Sequence, residues 1–129
     1  MFTTVGTKLT TIVSSVISNT YNFWKKMPDW YPYACVVPWS ATEEVQSSNT
    51  NNIELVYRIE IYYRCEDIAT TEWTLRSTLD SILALLRSDF TLSWSVINWR
   101  WETEIWYSAD AEPLRMAVIK CFYRACVTI

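Results

Sequence analysis

Between Ile53 and Tyr63 the chain changes character at every residue. Ile53, Leu55, Tyr57, Ile59, Ile61 and Tyr63 fall on one side, while Glu54, Arg58, Glu60, Tyr62 and Arg64 fall among the alternate positions. A strict period of two predicts a long strand with one buried and one wet face. After Cys65-Glu66-Asp67 the period lengthens: Leu75, Leu79, Ile82, Leu83 and Leu86 share one side, with Glu72, Arg76, Asp80 and Arg87 opposite. That spacing predicts an amphipathic helix over 71–87, capped by Thr70 or Thr71 and ended by Ser88-Asp89.

The same reading extends to both ends. Leu9, Ile12, Val13, Val16, Ile17, Thr20 and Phe23 recur at helical spacing, which predicts a first helix over 9–23 with Lys25 and Lys26 suited to its C-terminal end. Pro28, Pro32 and Pro38 then punctuate a stretch in which residues 33–37 read as a brief strand bracketed by prolines. Residues 40–52 are almost wholly polar and read as an exposed, mobile loop or the tip of a long hairpin. Two β-rich runs, 91–107 and 114–128, are split by Ser108-Ala109-Asp110-Ala111-Glu112-Pro113 and predict an antiparallel pair. The expected fold is therefore one α+β domain over 1–129: a mainly antiparallel sheet of about four strands with two amphipathic helices packed on it.

Composition sharpens this picture. No histidine and one glycine, Gly6, stand against twenty aromatic residues, which removes the commonest general base and metal ligand and leaves surface that favours burial. Half the residues are hydrophobic and 19% charged, so apolar area exceeds what a lone core hides and a homo-oligomer is expected. A net charge of −3 without a basic tract argues against phosphate-driven nucleic-acid binding. Cys35, Cys65, Cys121 and Cys126 lack CxxC spacing and read as buried thiols in a reducing cytoplasm, with no zinc site. No apolar run suits a spanning helix or a signal peptide, so no membrane partner is expected.

Candidate chemistry is sparse. Glu43-Glu44 and the trio Glu102, Glu104 and Asp110 are the carboxylate clusters, yet without an obvious partner they read as solvated or inter-subunit charge rather than as acid and base. No catalytic residue, cofactor or metal is expected. Trp99 and Trp101 share one strand face, with Trp94 and Trp106 on the other. They read as aromatic core plus anchors for a neighbouring subunit. The alternative is a cone-shaped ligand-binding domain whose aromatic cavity is lined by Trp94, Trp99, Trp101 and Tyr123. The last run is apolar on both faces and so calls for two covers, with Lys120 and Arg124 placed to pair with Glu102 and Glu104.

The order helix, short Pro-bounded strand, polar loop, long alternating strand, helix and two final strands resembles the tail terminator (tail completion) proteins of long-tailed bacteriophages. The segments that carry it are 9–23, Pro32-Tyr33-Ala34-Cys35-Val36-Val37-Pro38, the Glu/Gln/Asn loop, 53–65, the helix containing Leu75-Arg76-Ser77-Thr78-Leu79-Asp80-Ser81-Ile82, and the pair around Ala111-Glu112-Pro113-Leu114. The resemblance implies a virion subunit, assembled in the host cytoplasm, that forms a hexameric ring at the neck end of the tail. Such a ring stops tube growth and meets two partners, the tail tube protein and the head-tail connector protein. It also implies that residues 43–52, with Glu43, Glu44, Asn49 and Asn51, form a docking arm, and that Arg58, Glu60 and Arg64 form a charged inter-subunit face. Trp106, Lys120 and Arg124 complete the expected interface.

Overall fold

The computed structural model describes residues 2–25, 30–64, 67–88, 96–107 and 114–128. Helix α1 (Phe2–Ser14) buries Val5, Leu9 and Val13 as one stripe. It starts and stops earlier than the 9–23 span expected. Ser14 and Ser15 donate their hydroxyls to the carbonyls of Thr11 and Ile12 at 3.1 and 2.6 Å, and the amides of Val16 and Ile17 both turn back onto the Val13 carbonyl. Serine donors so close to the last turn compete with the helical ladder and let it end. Ile17 still joins the core, but buried Asn19 donates its side-chain amide to the Trp30 carbonyl at 2.8 Å. Thr20 then enters the two-residue strand β1 (Thr20–Tyr21), and Phe23 stands exposed. Lys25 lies over the Tyr21 ring rather than at a helix end, while Lys26 and Pro28 lie outside the described residues.

Strands β2 (Tyr33–Val45) and β3 (Thr50–Arg64) form a long antiparallel hairpin. The polar stretch at 40–52 is therefore the hairpin tip: the amides of Gln46 and Ser47 both reach the Thr50 carbonyl at 3.1 Å. The brief strand expected over 33–37 runs on through Pro38. The register shifts between Pro38 and Ser40, so Trp39 is an extra residue on β2, and a bulge at a sheet margin tolerates the missing proline amide.

Helix α2 (Ile68–Ser88) buries Thr71, Leu75, Thr78, Leu79, Ile82 and Leu86. Its cap is Asp67, not Thr70 or Thr71: the carboxylate accepts the amides of Ala69 and Thr70 at 3.1 and 3.4 Å and the Thr70 hydroxyl at 3.2 Å. Strands β4 (Val96–Tyr107) and β5 (Leu114–Thr128) pair antiparallel as the sequence predicts; the turn between them and residues 91–95 lie outside the described residues.

Among the described residues the sheet has five strands in the order β1-β2-β3-β5-β4, against the four or so expected, and it is mixed because β1 runs parallel to β2. The added strand is too short to be read from periodicity; β1 exists because Asn19 and Thr20 meet Ala34 in space, where the Asn19 carbonyl accepts the Ala34 amide at 3.0 Å. Both helices pack on one face, where Leu55, Tyr57, Ile59, Ile61 and Tyr63 of β3 meet Ala117, Ile119, Cys121 and Tyr123 of β5.

Candidate assembly surface

The face away from the helices gathers most of the charged residues singled out in the sequence. Register places Arg58, Glu60 and Arg64 of β3, Lys120 and Arg124 of β5 and Trp106 of β4 on this outer face. Around β3 it is not the wet face that alternation predicts. Val56, Val118 and Cys35 are buried there, and Glu60 is only 6% exposed. The cover comes from this chain's own long side chains. Tyr33 and Tyr62 stack with ring centroids 4.5 Å apart, the Arg58 guanidinium lies 4.3 Å over the Trp39 ring, and the Arg100 guanidinium lies 3.8 Å over Phe122.

Within this layer the charges are paired. Arg58 Nη2 stands 3.6 Å from Glu60 Oε2, and the Tyr62 hydroxyl donates to Glu60 Oε1 at 2.8 Å. Burial, then the hydrogen bond to Glu60 and its charge, pushes the Tyr62 phenol far above the usual tyrosine range. Burial likewise raises Tyr33, with smaller contributions from Cys35, Tyr31 and Glu60. Lys120 Nζ reaches Glu104 Oε1 at 3.8 Å, as the sequence suggests. Arg124 does not reach Glu102 or Glu104. It pairs with Glu54 at 3.1 Å, because register sets it opposite Glu54 on β3 and Asn98 on β4. Arg64 lies over the Tyr31 ring at 5.3 Å.

Glu43, Glu44, Asn49 and Asn51 sit apart from that layer, at the hairpin tip. Glu43 and Asn51 point to the helix side of the sheet, where Asn51 Nδ2 donates to Glu43 Oε1 at 3.2 Å; Glu44 points to the outer side, and Asn49 lies in the turn. The expected docking arm is not a detached loop. β3 remains paired with β5 up to Thr50 and Thr128, and Cys126 Sγ donates to Gln46 Oε1 at 2.7 Å. Cys126 is thus exposed on the outer face, contrary to the expectation of buried thiols, whereas Cys35 and Cys121 are buried and Cys65 lies outside the described residues.

Two features went unread in the sequence. Trp39, 60% exposed at the bulge, carried a usable signal: a bulky aromatic directly after a proline inside a strand. The second is that, among the described residues, both margins of the sheet are open. Among the described residues no strand pairs with the outer edge of β4, and β1 pairs with β2 only at Ala34 and Cys35. Nothing local announces this, because strand order is a long-range property. At the β4 margin Trp106 is 53% exposed on the outer face, and Ile105 and Trp99 are exposed on the helix side.

The remaining candidates sit in ordinary surroundings. Glu102 and Glu104 share the outer face, where Arg100 Nε lies 3.5 Å from Glu102, and Asp110 lies outside the described residues. Trp99 and Trp101 do share a face, and the Trp101 indole donates to the fully buried Tyr123 hydroxyl at 3.5 Å; Trp94 lies outside the described residues. Neither protein-family models nor curated proteins yield a match to this chain.

Proposed function

We propose that this protein is a non-enzymatic assembly subunit that works through shape and interfaces: a ring of its own copies, in the role of a phage tail terminator that caps the tail tube and joins it to the head-tail connector. The observation that carries the reading is the pair of sheet margins left open among the described residues, each flanked by a tryptophan more than half exposed, Trp39 and Trp106. Open strands with apolar flanks are templates for further strands, and a soluble chain that keeps them has reason to fill them. The element order supports the terminator role through the resemblance, and the hexameric stoichiometry, virion location and two tail partners follow from that resemblance alone.

The acidic pair Glu102 and Glu104 supports charge organisation rather than hydrolysis, since each has a cationic neighbour on an exposed face. Trp101 and Tyr123 pack against one another, which supports core and anchor roles over a ligand cavity. Light scattering coupled to size-exclusion chromatography tests the assembly reading: the expected mass is a multiple of 15.2 kDa, with rings in electron micrographs. Added to polymerising tail tube protein, the rings should stop tube growth. A monomer at every concentration, or tubes that lengthen past it, would reject the proposal.

A further inference from the structure

We infer that copies join head to tail through their sheets, β4 of one subunit adding as a new antiparallel strand along the distal half of β2 in the next. This rests on the assembly reading above and names the contact that builds the ring. Strand direction is the first support. β2 and β5 run one way, and β3 and β4 the other. When subunits are related by rotation about an axis along the strands, each keeps its direction, so β4 meets the neighbour's β2 antiparallel and the alternation continues across the boundary. The two edges differ, so the contact is heterologous, and under that rotation without a shift along the axis it builds a ring rather than a two-fold dimer.

Length and chemistry fix the register. Among the described residues β1 occupies the β2 edge only at Ala34 and Cys35, and no other described strand pairs with that edge from Val36 to Val45. Setting exposed Arg100 opposite Glu44 puts both on the outer face and places Glu102 and Glu104 opposite the neutral Thr42 and Ser40. β4 then ends at Tyr107 just short of the neighbour's β1. In this register Ile105 and Trp106 arrive beside the Pro38–Trp39 bulge. On the helix side, Pro38 borders an open cleft of about 250 Å³ lined also by Thr3, Gly6, Thr7, Asn22 and Tyr57. Ile105, exposed on that same side of β4, enters this cleft, and on the outer side Trp106 meets Trp39.

The test is charge reversal read by sedimentation across a dilution series, with near-ultraviolet circular dichroism confirming that each variant is folded. Glu44→Arg and Arg100→Glu should each weaken self-association roughly tenfold, because like charges then face one another. The double variant should restore it. Ile105→Asp, at a side chain exposed within the subunit, should weaken assembly without touching the charge pair. If wild type assembles but Glu44→Arg has no effect, or the double variant fails to restore association, the β4-to-β2 register is wrong while the assembly reading stands. Sensitivity to Arg100→Glu alone would indicate β4 pairing with β4 and would likewise overturn it. A wild-type monomer at every dilution would remove this inference and the assembly reading together.

Discussion

A β-carbon on Gly6 would stand 2.8 Å from the Tyr57 hydroxyl and 3.3 Å from two carbons of its ring. The chain's one glycine therefore marks a place where α1 lies directly against the Tyr57 ring of β3, in the middle of a helix where glycine is otherwise costly by about 1 kcal/mol against alanine. Tyr57 belongs to the buried core, so shifting its ring toward the cleft beside Pro38 gives up packing contacts. Overpacking of about 1–3 kcal/mol outweighs the propensity gain. Gly6→Ala should lower stability by about 1 kcal/mol in chemical denaturation, and the loss should shrink in a Tyr57→Phe background, where the closest atom is gone. An unchanged or raised stability would show that the helix moves freely over the sheet. The rarity of glycine is plain in the sequence; the ring that requires this one is not, because Tyr57 lies far along the chain.

At the scale of elements, α2 is tied to the sheet by more than its apolar stripe. The hydroxyls of Tyr63 on β3 and Thr78 on α2 lie 2.6 Å apart in a buried setting. Replacing Thr78 by Val keeps the volume but leaves the phenol without this partner, a loss of about 1–3 kcal/mol. The double change Thr78→Val with Tyr63→Phe should recover most of it, because no polar atom is then stranded. Thermal melts of the three variants decide this, and a double variant as weak as the single would place the cost elsewhere. Helix α2 was legible in the sequence because five leucine and isoleucine positions repeat with one period. The first helix was half legible. Its stripe is real, yet Val16, Ile17, Thr20 and Phe23 continue the same spacing beyond the point where Ser14 and Ser15 end the helix. Periodicity records which side chains face the core and does not record when the backbone stops turning.

For the whole molecule, buried phenols make stability sensitive to base. Burial holds Tyr33, Tyr57 and Tyr63 neutral above the usual tyrosine range, Tyr63 despite the opposing hydrogen bond from Thr78. The unfolded chain releases these protons near pH 10, and the folded chain retains them. Their contribution is therefore complete below about pH 10 and falls as pH rises beyond it, by up to about 1.4 kcal/mol per pH unit for each tyrosine. Denaturation midpoints should be flat in phenol-dependent terms from pH 7 to 9 and drop steeply above about pH 10. Absorbance near 295 nm should show these phenols ionising only together with unfolding. Titration of all eight tyrosines in a still-folded protein would contradict the burial described here.

By itself, the sequence determined the α+β class, the long central strand, the second helix, the antiparallel final pair and the face each of their residues takes, because side-chain period is a local property of the backbone. It also placed Lys120 and Glu104 on one surface, since both follow from strand parity. Tertiary structure alone decided that Thr20 and Tyr21 become a fifth, parallel strand, that Pro38 sits inside a strand at a bulge, that Arg124 answers Glu54, and that Glu60 is buried beneath arginine and tyrosine side chains. It alone decided the strand order, and so which described strands stand at the margins. Strand order and cover depend on residues tens of positions apart meeting in space, and no pattern read along the chain contains that distance.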